Sequence, residues 1–410
     1  MNGRQRVINT FNRTSIDRVA VDFNAHRSSG ISVQAYKKLR EYLGLPKSEL
    51  YVYDVLQQLA VVEDDVLDIF GIDTVQLGCQ LYKDAGYWKE WRMHDGTEAK
   101  IPAFIDMRKL GDGSYGIFST DNKLMCVQRK DCLYFEQELF PYYGTEKDEF
   151  GDLREALNNV MWSAVGTPPA PASYEEIGKL ALELRKGTDR AIYSIFGGSM
   201  YECAQTTFRM DEFFVTIASE PERMEMFLDA LLEIHMKNLD EYLTYVAPHV
   251  DIIGFSDDLG MQSGPQISTP MFDEFFKYRY KKMWDEVKKR APHARICMHS
   301  CGSIHDLLPS LIDAGLDSVN PVQTTCVNME PERLKKEFGD KLTFWGGGCD
   351  TRNVLPNGTP LQVKENVKRN LDILAPKGGF VFQQVHNILA DVPAENIAAM
   401  FEAVKEYGTY

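Results

Sequence analysis

At 410 residues, with 44% hydrophobic and 26% charged side chains, the chain is long enough for one large α/β barrel with an added subdomain or for two ordinary domains, and its composition excludes dominant disorder. A formal charge of −15 repels phosphate backbones and anionic lipid surfaces, so neither nucleic acid nor a membrane is an expected partner. The N-terminal segment has no signal-peptide core and no apolar run approaches the roughly 18 residues of a membrane span, which points to the cytoplasm.

Short β-branched or apolar runs alternate with helical patterns along the chain, as successive βα units do. The first run is 19–23 (VAVDF) and the second is 74–77, within IDTVQLG. Residues 79–143 break the alternation: they are aromatic-rich and punctuated by HDGTE, LGDGS and STDNK, and read as a small β-meander inserted after the second strand. The third run, 191–196 (AIYSIF), precedes a long helical stretch from 199 to about 246 with apolar positions three and four apart. The remaining runs are 250–255 (VDIIGF), 294–299 (ARICMH), 316–321 (LDSVNP), 342–345 (LTFW) and 379–383 (GFVFQ), with amphipathic segments such as MFDEFFKYRYKKMWDEVKKR among them. Eight strands favour a closed (β/α)8 TIM barrel over an open sheet, so residues 1–410 are expected to form a single barrel with the β-rich insertion at 79–143.

All strand C-termini of such a barrel open on one rim, where active sites are built. Residues two apart in a strand share a face, so His299 and Cys301 in RICMHSCG can reach one ion together. Cys349, in LTFWGGGCD after the seventh run, reaches the same rim and completes a set of one imidazole and two thiolates. Zinc favours those ligands, and a catalytic site keeps its fourth position open. The eight cysteines include no CxxC pair and fit a reducing compartment, which leaves thiols free for such a role.

Other candidates line the same rim. His386, in QQVHNILADVPAEN, is a fourth ligand, a general acid or base, a substrate contact, or a histidine hydrogen-bonded at the start of a loop. Asp257 and Asp258 end the fourth run in FSDD. One is placed to orient a ligand histidine, and helix N-capping is the competing account for one of the pair. Asn320 and Gln323, in SVNPVQ, are candidate substrate contacts, with a turn around Pro321 as the alternative.

The segments RVINTFNRTSIDRVAVDF, FSDDLGMQSGPQISTPMF, HSCGSIHDLLPSLIDAGLDSVNPVQ, FWGGGCDTR and FVFQQVHNILADVPAENI together resemble the uroporphyrinogen decarboxylase-like superfamily of (β/α)8 barrels, over nearly the whole chain. Within it, the H-x-C element resembles that of zinc-dependent, corrinoid-linked methyltransferases. This resemblance implies Zn2+ on His299 and Cys301, and a methyl group moved between a small molecule and a corrinoid. In the coenzyme M branch the third ligand is a Cys near the end of the eighth strand. This chain has His386 there, so Cys349 is taken as the third thiolate and a different substrate branch is implied. No D-x-H-x-x-G motif is present, so the corrinoid is expected on a separate partner protein.

The small molecule is then either a thiol acceptor or a methyl ether or amine donor. Two other readings stay open. One is a metal-free porphyrin-type decarboxylase, although DFNAHRSSGIS offers no good counterpart to that enzyme's arginine-rich motif. The other is a non-catalytic barrel that only binds a corrinoid protein.

Overall fold

Eight short strands form one parallel sheet in the computed structural model, which describes residues 1–130, 132–165 and 173–409. They are β1 (Ala20–Val21), β2 (Thr74–Gln76), β3 (Ala191–Gly197), β4 (Ile252–Ser256), β5 (Arg295–His299), β6 (Ser318–Asn320), β7 (Thr343–Trp345) and β8 (Phe380–Phe382). Their hydrogen-bonded order is β1, β8, β7, β6, β5, β4, β3, β2, so β2 to β8 follow one another in sequence and β1 lies beside β8. Asp73 draws the two ends of this series together. Its N–H donates to the Val21 carbonyl and its carboxylate accepts the Val21 N–H, both at 2.9 Å, while Arg6 and Arg18 neutralise it. The result is a nearly closed (β/α)8 TIM barrel.

Side-chain alternation decides what fills it. Ala20, Tyr193, Ile252, Cys297, Trp345 and Val381 pack together in one cluster inside the barrel. Their neighbours Val21, Ile192, Ile253, Ile296, Phe344 and Phe380 belong to the larger apolar core with the helices. His299 lies two residues beyond Cys297 and therefore has the inward parity, at the open end of β5.

The helices obey their own period. After β3 come α1 (Tyr201–Phe208) and then α2 (Pro221–Tyr245), which buries Met224, Phe227, Leu228, Leu231 and Leu232, spaced three and four apart. Truncating one of these leucines to alanine costs about 2–5 kcal/mol. Helix α3 (Pro360–Leu374) begins with Pro360 behind a Thr359–Gln362 capping box and packs against α4 (Ala394–Tyr407). No helix among the described residues is long and apolar enough to cross a membrane.

Between β2 and β3 the chain forms an antiparallel hairpin, Trp88–Arg92 with Glu98–Pro102, and then a four-stranded antiparallel meander of Asp106–Lys109, Tyr115–Phe118, Leu124–Gln128 and Glu136–Gln137. Its Ile101, Ile117, Met125 and Cys126 are buried in the same apolar core as the barrel's outer face. A further hairpin, Val52–Asp54 with Leu59–Ala60, lies between β1 and β2, where the sequence pattern gave no such expectation. The insertion docks on it through the Phe135 N–H and the Leu56 carbonyl, 3.1 Å apart.

Candidate metal centre

Parallel register sets Ser256, His299 and Asn320 abreast at the ends of β4, β5 and β6. Asn320 is fully buried, and its Nδ2 donates to the Trp345 carbonyl at 3.0 Å and to Gln383 Oε1 at 2.9 Å. Its orientation is thereby fixed, with Oδ1 facing His299 Nδ1 at 2.9 Å. An amide oxygen only accepts, so His299 carries its proton on Nδ1 and keeps a lone pair on Nε2.

Cys301 Sγ lies 3.5 Å from that Nε2. Two bonds hold the backbone that carries it: Asp258 Oδ1 accepts the Cys301 N–H at 2.7 Å, and Gln323 Oε1 accepts the Gly302 N–H at 2.8 Å. Gly302 adopts φ +85°, open to glycine and costly for most residues, and it presses against Gly260 of the β4 loop. A Cβ on Gly260 would lie 2.6 Å from the Cys301 carbonyl oxygen, so glycine is required for that approach.

His386 arrives from the β8 loop. Its ring meets His299 edge-on, with centroids 5.8 Å apart and planes at 66°. Its Nδ1 faces Asn387 Oδ1 at 2.9 Å. Asn387 Nδ2 donates to Gln57 Oε1 at 2.8 Å, and the Tyr134 hydroxyl donates to Asn387 Oδ1 at 3.2 Å. His386 therefore presents its Nε2 lone pair, as His299 does. One ligand atom each from His299, Cys301 and His386 lies within 4.8 Å of the other two. Burial pushes His299 below the ordinary imidazole range and, with His299 beside it, pushes His386 down to about 4. Both rings are neutral donors near pH 7. Burial and the carboxylates of Asp258 and Glu202 push the Cys301 thiol well up.

The structure brings His386, and not Cys349, to His299 and Cys301. Cys349 is fully buried in the apolar core and stands outside this group of three. The cause is local: β7 stops at Trp345, and Gly346 and Gly347 take φ of +99° and +84°. Strand alternation no longer dictates direction beyond them.

Asp257 is likewise no part of the reactive surface. Fully buried, it accepts from the backbone N–H groups of Met200, Tyr201 and Glu202 at 2.6–2.8 Å and from the Ser199 and Tyr280 hydroxyls. It caps α1, a helix that follows β3, so the capping role falls on a different element from its own. Asn320 holds His299, and being fully buried it has no surface for substrate. Asp258 stays at the mouth, its Oδ1 3.5 Å from His299 Nε2. Gln323 lines a cavity of about 300 Å3 together with Cys301, Gly302 and His386.

Two groups escaped the sequence reading. Glu202, in the first turn of α1, has its carboxyl pushed well up by burial and by Asp258 and Asp257. Applying the strand-end rule to β3 as well as to β4 and β5 would have found it. The second is the Asp22–His26 pair inside the barrel, whose side chains approach to 3.2 Å. His26 Nδ1 lies 3.1 Å from Ser28 Oγ, which in turn donates to Asn320 Oδ1 at 2.7 Å.

Comparison with known proteins adds three findings. The chain superposes on a methyltransferase from Methanosarcina mazei with a TM-score of 0.59 and 16% identity, covering 99% of both chains. That likeness speaks for the fold. No curated protein matches the sequence. A model of the uroporphyrinogen decarboxylase (URO-D) family matches residues 198–407, which run from the end of β3 through α4 and include His299, Cys301 and His386. Since this is just over half of the 410 residues, the chain belongs to the uroporphyrinogen decarboxylase (URO-D) family.

Proposed function

We propose that this protein is a zinc-dependent methyltransferase, moving a methyl group between a small molecule and a corrinoid carried on a separate protein. The observation that carries the reading is the convergence of His299, Cys301 and His386 at the barrel mouth. Two neutral imidazoles with lone pairs and one thiol are a donor set that suits zinc and leaves a position for substrate. The methyltransferase named among its structural relatives supports the same reading at the level of the barrel.

Methyl transfer is a displacement at carbon. Donor, methyl carbon and acceptor have to be held in line, and a corrinoid on the partner protein would supply one end of that exchange. His299, Cys301 and His386 would hold the zinc, which would supply Lewis acidity, lowering the pKa of a thiol acceptor or drawing charge from the leaving heteroatom of a methyl ether or amine. The chain's own contribution is orientation. Asn320 and Asn387 fix both imidazole tautomers, and Asp258 and Gln323 hold the backbone at Cys301 and Gly302. Glu202 adds an acid, with its carboxyl raised by burial, beside Asp258.

The test is metal analysis of the purified protein followed by a cobamide absorbance assay. Stoichiometric zinc, and interconversion of methyl-Co(III) and Co(I) forms with a methyl donor or thiol, are expected. A folded protein without stoichiometric zinc would favour the metal-free porphyrin-type decarboxylase. Zinc without any change in the cobalt spectrum across donors and thiols would favour a barrel that only binds a corrinoid protein.

A further inference from the structure

The cavity that contains Cys301 and His386 has one basic side chain of the lysine or arginine type in its lining, that of Arg352. Elsewhere in this acidic chain arginines are mostly neutralised: Arg6, Arg18, Arg40, Arg185 and Arg279 each sit in ion pairs with carboxylates. Arg352 differs. Its Nη1 reaches only the neutral Gln262 Oε1, at 3.3 Å, and among the described residues it forms no salt bridge. A guanidinium has five N–H donors, and in this exposed side chain most of them face solvent and can be exchanged for a ligand.

The one carboxylate in the cavity lining, that of Asp350, does not pair with it. Asp350 Oδ1 accepts the Arg352 and Asn353 backbone N–H groups at 2.8 and 3.1 Å, and Oδ2 accepts Asn353 Nδ2 at 3.0 Å. That carboxylate closes its own turn. The turn is anchored in its surroundings, because the Asp350 N–H donates to Asn366 Oδ1 at 3.0 Å and its carbonyl accepts the Leu355 N–H at 2.8 Å. Arg352 is thus presented to the cavity from a braced loop.

We infer that Arg352 is the anchor for a carboxylate on the small-molecule substrate, which places the reacting methyl or thiol end at His299, Cys301 and His386. The planar guanidinium matches a carboxylate bidentately, which favours it over a neutral or cationic tail. One guanidinium balances one negative charge, and the Asp350 carboxylate in the same lining disfavours a dianion such as a phosphate monoester. In a chain of net charge −15, this local cation also offsets the general repulsion of anions at the mouth.

The inference rests on reading the cavity as the substrate site for methyl transfer, and the experiment keeps the two apart. Equilibrium binding to the zinc-loaded protein is measured for matched pairs: methoxyacetate against 2-methoxyethanol, and 3-mercaptopropionate against 3-mercaptopropan-1-ol. The wild type is expected to bind a carboxylate member about tenfold more tightly than its alcohol, with the preference shrinking as salt is raised. R352Q should erase the preference, and R352K should retain part of it. An unchanged melting temperature for both variants shows that the fold is intact. Equal binding of both members of each pair, a preference that survives R352Q, or tighter binding of methyl phosphate would overturn the assignment. If the preference tracks Arg352 while no pair supports a cobalt absorbance change, the carboxylate anchor stands and the methyltransferase reading falls.

Discussion

His299 and His386 meet edge to face across the barrel mouth, and each directs Nδ1 at an asparagine oxygen 2.9 Å away. The residues are 87 positions apart in the chain. What joins them is barrel closure, which brings the β5 end and the β8 loop to one opening, and a repeated device in which a neutral amide fixes the tautomer. Carboxylate partners would make the imidazoles more basic, whereas amides orient them without adding charge.

Replacing His386 with alanine is expected to abolish stoichiometric zinc, with affinity falling by more than about a hundredfold, beyond the range typical of outer-sphere changes. Cys349→Ser should keep the metal and lose stability instead, by about 1–3 kcal/mol, because a hydroxyl replaces a thiol in an apolar core. Atomic absorption and chelator competition on both variants, alongside thermal unfolding, separate the effects. Loss of zinc from the Cys349 variant with retention in the His386 variant would restore the two-thiolate set.

Asn320→Ala should weaken zinc binding about 10–100-fold while His299 itself remains. The variant also strands Gln383 Oε1 in the barrel interior and removes one of the partners of Ser28 Oγ, so a lower melting temperature accompanies the loss. The diagnostic readout is the nitrogen NMR signature of His299 in the metal-free protein. Wild type should show a single tautomer protonated at Nδ1, and the variant a mixture.

Much of this centre was legible because barrel strands announce themselves. All eight apolar runs became strands within about two residues, and the inward parity of His299 followed from period two. The third member of the His299–Cys301 group was not legible for the opposite reason. Cys349 follows three glycines whose conformations are decided by packing, and His386 sits in a loop whose course is set by Asn387, Gln57 and Tyr134. Asp257 shows a third case: an aspartate at a strand end has the right position for chemistry, and only the neighbouring α1 reveals that its oxygens are already committed.

Asp257→Asn tests that last point. The amide cannot accept all five donors, and its NH2 group faces groups that themselves donate. A loss of about 2–4 kcal/mol in stability is expected, with zinc content unchanged in the fraction that folds. Denaturant unfolding and metal analysis measure the two quantities independently. A fully stable Asp257 variant with impaired turnover would return this residue to the reactive surface.

Tyr134 ties the insertion to the candidate centre, since its hydroxyl reaches the same Asn387 oxygen that His386 uses. Tyr134→Phe removes one hydrogen bond, worth about 0.5–1.5 kcal/mol, and leaves Gln57 holding Asn387. Zinc affinity should therefore fall less than tenfold, and less than in Asn387→Ala. Equal losses in the two variants would mean that the insertion, rather than the asparagine, orients the ring.

The pH dependence of zinc binding discriminates most sharply between ligand sets. His386 is pushed down to about 4 and His299 is lowered, so near pH 7 both imidazoles already lack the second proton and release none on binding. Cys301 is pushed well up, so its thiol is protonated in the metal-free protein and gives up its proton when zinc binds. Affinity is then expected to rise about tenfold per pH unit between roughly pH 6.5 and 8, a slope of one proton per zinc. The set with Cys349 in place of His386 would release two protons, because burial raises that thiol as well, and its slope would be about a hundredfold per unit. Calorimetric titration in buffers of different ionisation enthalpy counts the protons directly. A count of two at neutral pH would overturn the two-imidazole, one-thiolate centre, whatever the turnover of the loaded protein.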